Sequence, residues 1–411
     1  MAPELYIDFG AIRYISQNMM EKNIADLFER TFGSEERSNT EETSTTLSNF
    51  NARSSLLETE DISKKIREEF GIDSYQARIF VIGVGGMGSN VINKISRIGI
   101  KGAKTIAVNT DAAHLAMIQA DKKLLIGKEL TRGLGAGGSP ELGKKAAEES
   151  RQEIKDLLKD ADMVFLILGL GGGTGTGAAP VIAQYAKEQG AIVIAVATLP
   201  FKIEGARMSK AEDGLARLRD VCDTVIVIEN QKLLEYGGNL PIEQAFELGD
   251  NLISTMIKGI TETISVPSLV NLDYADVRTI MKVGGVSAIG VGISNSSDRA
   301  REAVMKSLSN PLLEVDYSGA KGALIQIIGG PDLKLEEINL IGETVSKYLS
   351  PEAQTIWGAR ILPDWKGKIQ VITIITGVKS PYILGPSMQE SEEKQVPSAS
   401  YESSIGIDVV R

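Results

Sequence analysis

Two glycine-rich stretches hold the residue types and spacings from which a chemistry can be built. Residues 81 to 90, VIGVGGMGSN, run from the apolar pair Val81 and Ile82 into Gly83, Gly85 and Gly88, which fit G-x-G-x-x-G. After a strand, that spacing suits a nucleotide phosphate seated on the N-terminus of the next helix. Residues 168 to 180, LGLGGGTGTGAAP, place five glycines and two threonines in the seven positions from Gly171 to Gly177. Such a loop turns several backbone N–H groups toward one anion; the glycines remove the Cβ atoms that would hold it off, and Thr174 and Thr176 add hydroxyl donors. A plain tight turn is the bland alternative, and it gives no use for so many glycines together. A Walker loop is excluded, because Gly138 to Lys145, GSPELGKK, lacks the metal-binding hydroxyl and carries Pro140. The first glycine stretch alone leaves the choice between NAD and another nucleotide open, with Asp111 near the end of the second strand as the acid that NAD would need.

Composition narrows the classes. A length of 411 residues favours two globular domains with tails, and an apolar content of 43% supplies their cores. The net charge of -10 goes against a uniformly basic surface, so no nucleic-acid partner is expected. One cysteine, Cys222, excludes an intrachain disulfide and a cysteine-rich zinc site. One histidine, His114, excludes a two-histidine metal site and reads as a surface or boundary residue on a helix. No metal site of the protein's own is expected. Glu4, Asp8 and Arg13 interrupt any early apolar run, so no leader peptide is expected. The stretch Ala191 to Phe201 is too short for a bilayer span. Together these point to a reducing, cytoplasmic setting and no direct membrane insertion.

The elements that must position the loops follow from periodicity. Strands are expected at Ile79–Val84, Thr105–Asn109, Met163–Gly169, Ile192–Thr198 and Thr224–Glu229. Helices are expected at Ser89–Ile98, Ala112–Gln119, Pro140–Lys159, Ala178–Gln189 and Ala211–Asp220. Alternating strands and helices imply an α/β class with a doubly wound parallel sheet, and VFLIL and IVIAVA fit strands buried on both faces. A long amphipathic helix is expected from Ile242 to Ile264, and then a smaller β-α-β-α-β domain built on AIGVGIS, GALIQIIGG and QVITIITGV. The organisation reads as an N-terminal extension at 1–75, partly disordered; a nucleotide-binding domain at 76–241; a central helix and connector at 242–270; a second domain at 271–379; and a flexible tail at 380–411.

GGGTGTG after a strand resembles the signature of the tubulin/FtsZ GTPases, and the surrounding blocks are more similar to FtsZ than to tubulin. VIGVGGMGSN resembles the family's first phosphate loop, NTDAAHL its second and GLGAGGSPELGKKAAEE its third. LPFKIEG resembles its ribose-contacting loop, NLDYADVRTIM the loop that completes catalysis, and NPLLEVDYSGAKGALI a stretch of its second domain. The resemblance runs in order from about residue 77 to 378 and turns the opening choice toward GTP. It implies the tubulin/FtsZ fold and GTP or GDP with Mg²⁺ as cofactors. The implied contacts are Gly85, Gly86, Met87, Gly88, Ser89 and Asn90 from the first loop and Gly172, Gly173, Thr174, Gly175, Thr176 and Gly177 from the fourth. Glu204 meets the ribose with Arg207 nearby, Phe246 stacks on guanine, and Asp250 accepts from its N1–H and N2–H₂ edge. Three positions depart from the family pattern. Met87 stands where glycine is frequent, EGAR is one residue shorter than the usual EGxxR around Arg207, and Gly138-Ser139 replaces Ala-Asn.

The resemblance also implies how hydrolysis is completed. Asn271, Asp273 and Asp276 in NLDYADV are the catalytic set, with a capped turn as the plain alternative. They follow the long helix, which at about 1.5 Å per residue carries them roughly 30 Å from the guanine site. The loop therefore serves the pocket of the next subunit in a head-to-tail homopolymer of the cell-division ring. A membrane-tether protein of the SepF or FtsA kind is implied for the terminal SSIGIDVVR. Concentration at mid-cell and a second FtsZ paralogue in the ring belong to the same expectation. A scaffold polymer with weak hydrolysis and an NAD-binding Rossmann enzyme are the alternatives; the intact NLDYADV favours the GTPase.

Overall fold

The apolar runs IFVIGV and MVFLIL become the two central strands, β1 (Ile79–Val84) and β4 (Met163–Gly169). They lie parallel, with Ile79 beside Met163 through to Val84 beside Leu168. Helices cover both faces, which is why neither run shows polar alternation. This computed structural model describes residues 77–232, 242–265, 269–270, 274–282, 286–309 and 316–378. The expectations for 1–75 and 380–411, and those for Asn271 and Asp273, lie outside the described residues.

From β1 the chain winds outward through α1 (Gly85–Ile98), β2 (Ala103–Asn109) and α2 (Ala112–Met117) to an edge strand, β3 (Lys122–Leu125). It returns through α3 (Lys128–Thr131), α4 (Pro140–Glu149) and α5 (Arg151–Leu158) to β4. It then winds the other way through α6 (Thr174–Glu188), β5 (Ile192–Leu199), α7 (Ala206–Val221) and β6 (Thr224–Glu229). The order β3-β2-β1-β4-β5-β6 is parallel throughout and reverses direction between β1 and β4. At such a reversal the carboxyl ends of the two strands part and leave a crevice.

Three details differ from the periodicity reading. β3 has four residues, with Lys122 and Lys123 exposed, so no apolar run announces it. The helix expected over Pro140–Lys159 is two, broken at Ser150, whose Oγ accepts from the Gly127 N–H at 3.1 Å. The helices after the glycine loops begin at Gly85 and Thr174, inside the loops, and not at Ser89 and Ala178.

α8 (Ile242–Ser265) buries Ile253, Met256, Ile257 and Ile260, the i, i+3, i+4, i+7 stripe of an amphipathic helix. Its Lys258 Nζ donates to the carbonyls of Ile98 and Gly99, satisfying the C-terminus of α1. Its Glu262 accepts from Arg360 at 3.0 Å. α9 (Tyr274–Lys282) packs Val277, Ile280 and Met281 into the same core. β7 (Val286–Ser294) then joins β6 in parallel through the pairs Val225–Val286 and Ile226–Ser287, so a single sheet continues to the far edge in the order β7-β10-β8-β9. β10 (Ile369–Thr376) runs antiparallel to both β7 and β8 (Ala320–Gly329). α10 (Arg299–Leu308) and α11 (Leu335–Ser346) complete the expected β-α-β-α-β succession, into which β9 (Leu349–Ile361) is inserted beside β8. β9 carries Pro351 and exposed polar residues, features of an edge strand that an apolar-run search passes over. Arg299 is 8% exposed and ties the two helices together, donating to both carboxylate oxygens of Glu337 and to Asp332.

Candidate nucleotide site

α1 and α6 both start at the crevice, directly from the ends of β1 and toward those of β4. Their N-cap residues, Val84 and Gly173, supply no side-chain hydrogen bond, so the first-turn N–H groups remain open. Gly85 adopts φ +74°, and a Cβ there would lie 3.0 Å from the Gly175 nitrogen; the two turns touch backbone to backbone. Close approach likewise requires glycine elsewhere in the loops. A Cβ on Gly88 would meet Ile167 O at 2.3 Å, on Gly175 Gly169 O at 2.7 Å, and on Gly177 Pro140 O at 1.9 Å. Gly86 and Gly172 are different, for a Cβ on either would meet nothing within 4 Å. Protein packing does not demand glycine at those two positions, and the space before them is open to a ligand. Ser89 and Thr176 are buried, and their hydroxyls have no partner among the described residues. Thr174 Oγ1 instead lies 2.7 Å from Thr110 Oγ1, tying the second glycine turn to the end of β2. Met87 turns its side chain toward Gly169, where a Cβ would lie 3.1 Å from its own, so the departure from glycine leaves the backbone of this turn unobstructed.

The third loop closes one wall. Gly133, Gly135, Gly137 and Gly138 all have positive φ, and Ser139 then caps α4 by accepting from Leu142 N–H. Lys210 Nζ from α7 holds the Gly138 carbonyl at 2.8 Å. A second wall carries Glu204, Arg207, Phe246 and Asp250. Glu204 accepts from the Phe201 N–H at 2.9 Å and from Arg207 Nη1 at 2.6 Å, so the shortened loop still brings arginine and glutamate together. Phe246 is 43% exposed and meets the edge of Phe201 at 5.8 Å, which removes burial in the core as its explanation. Asp250 stands one helical turn further on α8. Burial pushes its carboxyl up to about 6, Lys94 opposes the shift and Glu247 adds to it. Asp111, the acid that a dinucleotide would require, is instead the N-cap of α2, accepting from His114 N–H at 3.0 Å.

Of the acidic loop, Tyr274 and Asp276 are described, at the start of α9. Tyr274 donates its hydroxyl to Asp162 O at 2.8 Å, immediately before β4. The glycine turn lies beyond the other end of that strand, roughly 25 Å away at strand rise. Within one copy the structure assembles both glycine turns and the Phe246–Asp250 wall, and it holds Asp276, two residues from Tyr274, toward the opposite end of the strands. His114 is half-buried on α2, as expected, and its ring bonds Asn90 and Asn109, a link between non-adjacent segments that periodicity does not reveal. No group of three or more His, Cys, Asp or Glu that could hold a metal occurs among the described residues.

A doubly wound sheet with two uncapped glycine turns at its reversal point and a carboxylate-and-aromatic wall defines a nucleotide-binding protein. Comparison with known proteins gives its kind. Residues 78–238 match the GTPase domain of the tubulin/FtsZ family, and residues 285–379 the C-terminal domain of the FtsZ family. The chain is similar to cell division protein FtsZ 2 of Methanocaldococcus jannaschii, 56% identical over 351 residues, spanning 85% of this chain and 91% of that protein. It is 52% identical over 341 residues to cell division protein FtsZ 1 of Thermococcus kodakarensis, spanning 82% and 91%. A solved empty FtsZ dimer from M. jannaschii matches with a TM-score of 0.71 at 48% identity, covering 78% of this chain and 92% of that one. The chain belongs to the FtsZ family of cell-division GTPases. No helix among the described residues is long and apolar enough to cross a membrane.

Proposed function

We propose that GTP lies with its phosphates on the turns of α1 and α6 and its guanine against Phe246 and Asp250, and that a second copy, stacked head to tail, completes its hydrolysis. The observation that carries this reading is the separation of Asp276 from the glycine turns by the length of β4. Gly85, Gly86, Met87, Gly88, Ser89 and Asn90 line the phosphates and base. Gly172, Gly173 and Gly175 bring backbone N–H groups to the β- and γ-phosphates, where the unsatisfied Thr176 hydroxyl finds a partner, while Thr174 fixes the turn and Gly177, its N–H donated to Gly173 O, lets the third loop pack close by. Glu204 and Arg207 bind the ribose side. Asp250 accepts from the guanine N1–H and N2–H₂ donors, a pattern adenine does not present, so the site selects GTP over ATP. Mg²⁺ bound with the nucleotide would supply charge neutralisation at the phosphate oxygens.

Asn271, Asp273 and Asp276 of the neighbouring copy hold the attacking water in line with the γ-phosphate. A carboxylate accepts the water's proton as the new P–O bond forms and GDP leaves; positioning and charge stabilisation are what phosphoryl transfer chiefly requires. Around the mouth, Leu134 is 85% and Ile203 94% exposed, apolar surface that suits contact with another copy. A contact between two different faces does not close on itself, so it propagates into a filament. The relative solved as a dimer supports self-association. The filament works in the cytoplasm at the mid-cell ring, held by a SepF- or FtsA-like tether on residues 403–411. Replacing Asp273 and Asp276 together by Ala tests the reading. GTP binding is expected to remain and turnover to vanish, whereas unchanged turnover removes the catalytic assignment.

A further inference from the structure

His114 is the chain's single histidine, and its ring is held at both nitrogens. Nδ1 lies 3.2 Å from Asn109 Nδ2, and Nε2 lies 3.0 Å from Asn90 Oδ1. The direction of these bonds is set by the backbone. Asn109 is 3% exposed, and its Oδ1 accepts from the N–H groups of Thr110 at 2.9 Å and Asp111 at 3.3 Å. Turning that amide over would set an NH₂ against two backbone donors in a buried place, which is costly. Asn109 therefore presents Nδ2 to the ring, and His114 Nδ1 must accept. A neutral imidazole then carries its proton on the other nitrogen, so Nε2–H donates to Asn90 Oδ1. Asp111 fixes the histidine from the main-chain side by accepting from its N–H at 3.0 Å. A chain of fixed polarity thus runs from the backbone at the end of β2, through Asn109 and His114, to the exposed Asn90 on α1.

We propose that His114 is a positioning residue for nucleotide binding: it sets the Asn90 amide so that Nδ2, and not Oδ1, faces the bound guanine nucleotide. Asn90 then acts only as a donor, toward an acceptor atom of the base, ribose or phosphate. This rests on the reading of Asn90 as a nucleotide contact. Without the ring, the amide rotates freely and presents a lone pair to an acceptor for part of the time.

The test measures GDP affinity by calorimetry below the assembly concentration, and nucleotide-free melting, for the parent, Asn90→Ala, His114→Phe, His114→Gln and the double variant Asn90→Ala/His114→Phe. Asn90→Ala and His114→Phe are each expected to weaken GDP about tenfold, the scale of one hydrogen bond. The double variant is expected to bind no more weakly than Asn90→Ala alone, since residues that act through one another are not additive. His114→Gln, whose amide N–H reaches the place of Nε2, recovers most of the loss. In turnover with GTP, KM rises more than kcat falls. His114→Phe binding like the parent, or losses that add in the double variant, would reduce His114 to a packing residue. If Asn90→Ala binds GDP like the parent, the Asn90 contact and the proposal fall together; if the parent binds no GDP, the whole nucleotide reading falls.

Discussion

Replacing Gly86 by alanine separates folding from binding at the heart of the site. Gly86 is the second residue of α1, outside the positive-φ glycines, and a methyl group there meets no protein atom within 4 Å. Alanine is favoured over glycine within a helix by about 0.5–1 kcal/mol. The empty variant is therefore expected to melt at the parent's temperature or about 1–2 °C above it. In the bound form the same methyl stands where a phosphate must approach the backbone N–H groups to about 2.9 Å. Forcing a methyl into a filled contact costs about 1–3 kcal/mol, so GDP should bind about five- to 150-fold more weakly. Gly175→Ala is the contrasting case. Its methyl would lie 2.7 Å from Gly169 O, so both melting temperature and affinity should fall. Thermal melting without nucleotide and calorimetric GDP titration read the two effects apart. A Gly86→Ala protein that binds GDP like the parent would show that no phosphate sits on this turn, and a loss of several degrees in the empty state would show that the space is not open.

Two further outcomes follow from charge. Asp250 is held above its ordinary 3.8, at about 6, so the empty fold loses stability as pH rises through that window and regains it as pH falls. Guanine binding needs the ionised form and runs the other way: between pH 7 and 5 the ionised fraction falls from roughly 0.9 to 0.1, and GDP affinity should fall about tenfold. A flat affinity profile in the parent, or the same slope in Asp250→Asn, would remove Asp250 from the contact. Arg299→Met removes the guanidinium that Glu337 and Asp332 share and is expected to lower the melting temperature by a few degrees. GDP affinity should not move, because the cluster lies away from the crevice; a melting temperature unchanged within a degree would refute the clamp.

The parallel core was legible because burial on both faces writes itself as unbroken apolar runs, as in Met163 to Leu168. Glycine loops were legible because Gly171 to Gly177 concentrates residues that ordinary turns do not need. What escaped the sequence reading depended on tertiary context. β3 and β9 are edge strands, one short and charged, the other interrupted by Pro351, so neither carries a periodic apolar signature. The helices begin at Gly85 and Thr174 although glycine disfavours helix, because contact between the two turns overrides local propensity. Ser150 interrupts an otherwise continuous helical pattern because its hydroxyl serves Gly127, across a separation no local window spans. His114 is the half-buried helix residue that was expected, but the bonds of its ring were not legible, because its partners lie five and 24 positions away. The Phe246–Asp250 wall was found through its match to a family pattern and not through its chemistry alone.

The central claim is that the hydrolytic site is shared between copies. It is tested most directly by phosphate release from GTP with Mg²⁺, measured against protein concentration. The account predicts almost no activity per subunit at low concentration and a steep rise above a threshold, because each pocket waits for its neighbour's Asp276. A specific activity that stays constant across that range would mean a self-contained site, and the assignment of Asp273 and Asp276 would fail.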